Sequence, residues 1–294
     1  MNRAMSGTVG YLKMNGLGNE FVVLDGRETP VLLDEDRVRW IADREQGIGC
    51  DQLIVMEQPT AKGADVFMRI FNHDGGEVAA CGNATRCVAA IAARELGRGQ
   101  IAVQTRTGLL VANVDGSRVS VDMGKPKFGW QDIPLSEEFG DTRGIELQIG
   151  PIDAPVLHTP SVVNVGNPHA IFWVGQNPDD YELERFGPLL ENHPLFPERA
   201  NISLAWVSAS DEIRVRVWER GVGLTKACGT AACAVAAAGA RKGLSARKVK
   251  VILPGGKLDV EWRIRDNHIV MSGPWELEGT GELSTELTGA RFIK

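Results

Sequence analysis

Short apolar runs rich in β-branched residues, each bounded by Gly, Asp or Asn, recur along the 294-residue chain. In the first half they fall at 21–24, 53–56, 66–71, 101–104 and 119–123, and in the second at 170–174, 203–207, 213–218, 249–253 and 257–262. Runs of this length with such flanks predict strands. One longer segment per half departs from the pattern: 82–96 and 229–242 are rich in alanine. A helix that sheet residues pack around closely needs small apolar side chains on most of its surface. The pattern therefore predicts an α+β fold (α/β mixed) of two pseudo-symmetric domains, each a β-sheet wrapped around a central helix.

The two halves are also alike in letters. Across 69–94 and 216–241, at an offset of 147, eleven of 26 positions are identical. Five of these are alanines; Arg69, Gly76, Cys81, Gly82, Val88 and Arg94 remain. Gly18-Asn19 ahead of one apolar run answers Gly166-Asn167 ahead of another. A period this long exceeds the roughly 20–50 residues of solenoid repeats and indicates duplication of a whole domain. Gly124-Lys125-Pro126-Lys127 and the polar stretch to Gly150 mark the junction, giving 1–128 and 129–283 as the two repeats. The pattern alone does not assign the last residues, 287–294, to either half.

Charge narrows the partners. Thirty-two Lys and Arg against 38 Asp and Glu leave a formal charge of −6, which argues against nucleic acid or an anionic membrane surface. No run of eighteen apolar residues exists, and residues 1–16 lack the apolar core of a signal peptide. Five cysteines are too few for a disulfide scaffold in a chain this long. A cytoplasmic protein with reduced thiols is expected.

Cys81 and Cys228 stand where a strand-rich segment hands over to the alanine-rich helix. Each is followed by Gly and a polar residue, so Asn83 or Thr230 is expected to cap the first turn. A thiol at a helix N-terminus is expected to favour its thiolate, because free N–H groups and the macrodipole stabilise negative charge. The same N–H groups form an anion site suited to a carboxylate. One device thus supplies both a base and a carboxylate cradle, and the repeat supplies it twice. The plain alternative is a pair of small buried cysteines in the core. Cys87 and Cys233 lie six and five positions further on, turned away at about 100° per residue, and are read as helix packing, with Cys50 structural. No metal is expected: the spacings do not match a zinc pattern, and His73 and His169 are isolated. A redox pair of Cys81 and Cys228 is the other alternative.

Several motifs resemble one family. They are Met14-Asn15-Gly16-Leu17-Gly18-Asn19-Glu20-Phe21, Asn72-His73-Asp74-Gly75-Gly76-Glu77, Ala80-Cys81-Gly82-Asn83-Ala84-Thr85-Arg86-Cys87, Gly166-Asn167-Pro168-His169, and the run from Glu219 to Thr230. Together they resemble diaminopimelate epimerase over nearly the whole chain. The resemblance implies a cofactor-independent epimerase that interconverts LL- and meso-diaminopimelate for lysine and peptidoglycan precursors, with the two domains closing over the substrate. It implies Cys81 as thiolate base and Cys228 as thiol acid. It implies backbone groups at Gly82, Asn83, Gly229 and Thr230 for the reacting carboxylate, and Asn72, Asn167, Asn201, Glu219 and Arg220 for the distal amino-acid end. Asn19 and Gln52 complete the pocket, and His169 and Glu219 tune the cysteine pair.

It also implies that a C-terminal strand at about 284–294 joins the first domain. Asn15, Glu20, Ala84 and Ala231 depart from the usual family residues and bear on pocket shape only. Lys226 is read as solvated rather than as a Schiff-base lysine. The closest rival is a proline or hydroxyproline racemase of two-cysteine type, which would leave Arg220, Asn201 and Asn167 without a purpose. A binding protein that has lost the chemistry is a further alternative. The expected partner is diaminopimelate, with neither nucleic acid nor membrane; a homodimer is left open.

Overall fold

A computed structural model describes residues 7–79 and 81–290. Ala80 of the repeated motif and 291–294 of the expected C-terminal strand lie outside the described residues. The chain forms two compact units. One holds the chain up to Val121 and again from Gly273; the other holds Asp122–Ser272.

In the first unit the order is β1 (Thr8–Asn15), β2 (Glu20–Asp25), α1 (Glu35–Ala42), β3 (Gln52–Glu57), β4 (Val66–Asn72), β5 (Glu77–Val78), α2 (Gly82–Leu96), β6 (Gln100–Thr105), β7 (Gly108–Asp115) and β8 (Arg118–Asp122). β1 pairs antiparallel with β2, and β2 parallel with β3. β3 then pairs antiparallel with β4, β4 antiparallel with β5 and parallel with β6, and β6 antiparallel with β7. The second unit begins with the short β9 (Gln148–Ile149) and β10 (Leu157–His158), followed by β11 (Ser161–Asn164), β12 (Pro168–Trp173), α3 (Leu183–Glu191), β13 (Asn201–Ala209), β14 (Glu212–Glu219) and β15 (Gly223–Thr225). It continues with α4 (Gly229–Lys242), β16 (Lys248–Leu253), β17 (Gly256–Trp262) and β18 (Ile269–Pro274). The ladders from β11 to β17 run in the same succession of antiparallel and parallel pairings, with α3 and α4 where α1 and α2 stand. The duplication read from the letters is therefore present in the hydrogen-bond topology.

The central helices begin and end where the alanine runs do. α2 packs against β4, β6 and β7, and α4 against β11 to β14, β16 and β17. Each helix is buried on all sides except in its last turn, which is why Ala replaces larger residues there. Both end on a glycine in the left-handed region, Gly97 at φ 65° and Gly243 at φ 75°, a conformation glycine adopts without Cβ strain.

Both boundaries differ from the sequence expectation. The first unit ends at Val121 rather than 128, and the chain returns to it at Gly273 rather than near 284. At the first crossing Met123 N–H donates to Ile269 O, and Asp122 accepts from Gly124 N–H and meets His268 Nδ1 at 2.7 Å, which binds 122–124 to the second unit. At the second, β19 (Glu276–Ser284) pairs antiparallel along all of β1, and Leu283 enters the first unit's core. A short helix, α5 (Thr285–Thr288), then stands in the described part of the stretch expected as a strand at 284–294. The polar stretch from 124 to 150 is no linker: Ile133, Leu135, Ile145 and Leu147 are buried in the second unit's core with Phe172, Phe186 and Ile202.

α3 lies unusually close to β14. A Cβ added at Gly187 would stand 2.4 Å from the Trp218 indole. Gly187→Ala is therefore expected to destabilise the protein by about 1–3 kcal/mol, the usual cost of overpacking, even though alanine favours helix by about 1 kcal/mol. Denaturant unfolding measures it, and an unchanged or raised midpoint would contradict the packing.

Candidate active site

The two cysteines occupy the same structural position. Cys81 is the N-cap of α2, with φ −147° and ψ 115°, and Cys228 the N-cap of α4, with φ −128° and ψ 112°. The caps are thus the cysteines themselves, not Asn83 or Thr230. Cys81 Sγ accepts from Ala84 N–H at 3.5 Å, and its carbonyl accepts from the Thr85 hydroxyl at 2.8 Å. Cys228 Sγ lies 3.4 Å from Thr230 Oγ1. A sulfur at an N-cap sits over the positive end of the helix macrodipole. The residues after it place backbone N–H groups where a carboxylate could be received.

In the first unit Asn83 is buried, and its Oδ1 accepts from Arg86 Nη1 at 3.0 Å. Arg86 is wholly buried and also donates through Nε to Pro274 O. Gln52 Nε2 donates to Asn72 Oδ1 at 2.9 Å, and the other end of the Gln52 amide, Oε1, is buried with no protein partner. Asn19 donates to Asp51 Oδ2, which also accepts from Glu20 N–H. Asp51 thus fixes Asn19, a role the sequence did not single out. Asn15 closes the neighbouring turn by accepting from Gly18 N–H, and donates to Glu278. Glu20 is paired with Arg44. Ala84 and Ala231 are fully buried in helical backbone, so the extra methyl of each is absorbed by packing.

In the second unit Cys228 is buried beside Glu219, whose carboxylate accepts from the Thr225 hydroxyl. Burial, and after it the Glu219 carboxyl, push the Cys228 thiol well above the ordinary thiol range. This corrects the simple helix-end expectation: at Cys228 desolvation and a neighbouring anion outweigh the helix dipole, and the group is a thiol at neutral pH. Burial likewise raises Glu219, while Thr225 and Cys228 act in the opposite direction by hydrogen bonding to its carboxylate. Cys50 and Cys87, deep in the first unit, are pushed up to about 12 by burial, in keeping with a packing role. Cys233 is fully buried in α4.

His169 is wholly enclosed. Burial, with the Arg220 charge adding to it, lowers its pKa to about 3, so it is a neutral imidazole at working pH. Its Nε2 lies 2.8 Å from Asn167 Oδ1, which can only accept, so the proton is assigned to Nε2. Nδ1 is left buried with no protein partner. Asn201 spends both ends of its amide on backbone, donating to Pro168 O and accepting from Arg220 N–H. It brackets Arg220. The Arg220 guanidinium donates to Glu198 O at 2.9 Å. The residues expected in the second half of the site therefore lie in the turn into β12, on β12 and β13, at the end of β14 and the turn after it, and at the start of α4. Among the described residues, no group of three or more His, Cys, Asp or Glu side chains could hold a metal ion.

As a fold, this arrangement is shared by several solved structures. The chain superposes on a hydroxyproline epimerase from Agrobacterium vitis with a TM-score of 0.67 at 15% identity, covering 96% of this chain and 97% of that one. It superposes on a methylitaconate-delta-isomerase with a TM-score of 0.64 at 15% identity, over 99% and 100% of the two chains. A Bacillus anthracis phenazine biosynthesis protein of the PhzF family matches at TM-score 0.62 and 17% identity, covering 94% and 99%. The fold class is thus one of two-domain proteins built from a repeated sheet and helix. Sequence then selects within it: the chain belongs to the diaminopimelate epimerase family, whose profile matches residues 11–129 and 161–278. A diaminopimelate epimerase of Bradyrhizobium sp. (strain BTAi1) is 53% identical over 279 residues, 94% of this chain and 96% of its own. That of Rhodopseudomonas palustris (strain BisB18) is 55% identical over 272 residues, 92% and 93% of the two.

Proposed function

We propose that this chain interconverts LL- and meso-diaminopimelate by a two-base mechanism without a cofactor, with Cys81 and Cys228 as the reacting groups. The observation that carries this reading is the cysteine N-cap repeated at equivalent places in two units of one topology. Family membership supports the substrate.

Inversion at a Cα needs a base on one face and an acid on the other. In the LL-to-meso direction Cys81, as thiolate, takes the α-proton, and the electron pair of the broken C–H bond delocalises into the carboxylate. Cys228, as thiol, then gives its proton to the opposite face. The enzyme is left with Cys81 as thiol and Cys228 as thiolate, which is the starting state for the reverse reaction. The raised thiol of Cys228 supports its place as the acid. Backbone N–H groups at the starts of α2 and α4 would stabilise the developing carboxylate charge by fixed dipoles. Arg220 suits the distal carboxylate, and Glu219 the distal ammonium. Gln52, Asn72, Asn19 and Asn167 complete the polar lining. A proline-type substrate has no distal end, so it would leave Arg220 and its bracket unused, and the solved structures of such enzymes share under a quarter of their residues with this chain.

All five cysteines are outside disulfides, which fits a reducing compartment, and the cytoplasm is our reading. No helix of the described residues is long and apolar enough to cross a membrane. Proton NMR of LL-diaminopimelate with the reduced protein in deuterium oxide tests the function. The expected result is loss of the α-proton signal as the meso isomer appears, without added pyridoxal phosphate. No exchange from protein with free thiols would overturn the reading, and exchange with L-proline instead would favour the rival.

A further inference from the structure

Behind the turn that carries Glu219 and Arg220 lies a buried carboxylate for which the reaction has no direct use. Glu191, the last residue of α3, is 5% exposed. Its Oε1 accepts from Gly221 N–H at 2.9 Å and from Arg199 Nη1 at 3.1 Å, and its Oε2 accepts from Trp218 Nε1 at 2.7 Å. Trp218 and Gly221 flank Glu219 and Arg220 in sequence, so one carboxylate grips that pair from both sides. Its own backbone takes part as well, since Ala200 N–H donates to Glu191 O.

The turn itself is one that needs such a grip. Val222 N–H donates to Glu219 O at 3.0 Å, closing a four-residue turn with Gly221 at φ 76° in its third position. This is the type II pattern, which requires a positive φ there. Types I and II differ mainly by a flip of the central peptide, here the one joining Arg220 to Gly221. The N–H of that peptide is the group Glu191 accepts from, so the carboxylate holds the peptide in one of its two orientations. That orientation fixes the path of the chain through Gly221, while Asn201 holds the Arg220 N–H on the preceding peptide. From below, Arg199 is held at φ 59°, a left-handed conformation that a residue with a side chain adopts only when its surroundings impose it. Its guanidinium meets Glu191, and the carbonyl before it, Glu198 O, receives the Arg220 guanidinium.

We propose that Glu191 is a positioning residue for substrate binding: by holding the 219–222 turn at Gly221 and, through Arg199, the segment whose Glu198 carbonyl receives the Arg220 guanidinium, it keeps Arg220 placed for the distal carboxylate of diaminopimelate and Glu219 for the neighbouring ammonium. The inference rests on the function proposed above. Glu191 touches no reacting atom, and its effect is transmitted through Gly221 and Arg199 on Oε1, while the Trp218 N–H only occupies Oε2.

The chemistry of the three donors supplies a specific test. Glu191→Gln can keep its oxygen on Gly221 and Arg199, but then turns its NH2 group toward the Trp218 indole N–H, setting donor against donor. Trp218→Phe removes that N–H. The expected result for Glu191→Gln is a KM for LL-diaminopimelate raised about tenfold with kcat within about threefold, the scale of a lost hydrogen bond to a charged group. Trp218→Phe alone should stay within about threefold of wild type in KM. Glu191→Gln combined with Trp218→Phe should return KM to within about threefold of wild type. An unchanged KM in Glu191→Gln overturns the proposal. So does a raised KM that Trp218→Phe fails to lower, because general loss of packing would not be rescued by a further truncation. If Glu191→Gln does not fold, Glu191→Asp serves: it keeps charge and both oxygens but shortens the reach, and wild-type KM in it also overturns the proposal. Wild-type protein assayed alongside separates the two readings, since absence of epimerisation there would refute the function itself, whatever the variants do.

Discussion

Cys228→Ala is expected to lose epimerisation by about 10⁴-fold, the upper range for removal of one positioned acid or base, while still exchanging the α-proton of LL-diaminopimelate with solvent. The reason lies in the unequal work of the two thiols. Cys81 alone can take a proton from its face and return a solvent-derived one to the same face. Without Cys228 nothing delivers a proton to the other face, so exchange continues and inversion stops. Cys81→Ala should lose both from the LL isomer and retain exchange from the meso isomer. Deuterium incorporation followed by NMR, with chiral separation of the isomers, reads both quantities at once. Inversion by Cys228→Ala within tenfold of wild type would remove it from the mechanism. Loss of inversion with exchange unaffected in both variants and both directions would equally contradict the assigned faces.

Arg220→Ala is expected to raise KM by about tenfold to a hundredfold, corresponding to the roughly 1.5–3 kcal/mol of hydrogen bonds to a charged group. Its guanidinium already has a carbonyl partner in Glu198, so the side chain is anchored before any ligand arrives. The rate of alkylation of Cys81 and Cys228 should not change, because neither thiol depends on Arg220 for its position. Steady-state kinetics and iodoacetamide labelling separate the two effects. Unchanged affinity with normal labelling would show that the distal carboxylate is bound elsewhere.

Much of this was legible in the letters, and the reasons differ by element. The ends of α2 and α4 are marked by alanine runs that stop at left-handed glycines. The buried strands announce themselves as continuous apolar runs, as in Leu53-Ile54-Val55-Met56. α1 was missed because eight residues give barely two turns of periodicity, although Asp34 followed by two acidic residues is a start signal. β19 reads Glu-Leu-Glu-Gly-Thr-Gly-Glu-Leu-Ser, mostly exposed, and is a strand only because β1 offers it a complete ladder. In the site, family motifs located the residues, but not which way their hydrogen bonds run. Asn201 looks like a ligand in the sequence and proves to hold backbone at both ends. The direction at Cys228 was opposite to the helix-end expectation because burial cannot be read from an N-cap. Glu191 carried one faint signal. An acidic residue in the last turn of a helix opposes the macrodipole, and such a local cost implies a tertiary partner that repays it.

The return of the chain at Gly273 sets an order of events during synthesis. The second unit, Asp122–Ser272, is one continuous stretch and can complete its own ladders as soon as it leaves the ribosome. The first unit cannot. β1 lies between β2 and β19 in its sheet, and Thr8 must wait for Ser284, so one side of β1 stays an open edge until β19 has been made. An unpaired edge held open that long is a template for pairing with another chain. The N-terminal unit is thus finished only after the second, and β19, with its glycines and exposed glutamates, is the stretch that closes its open edge.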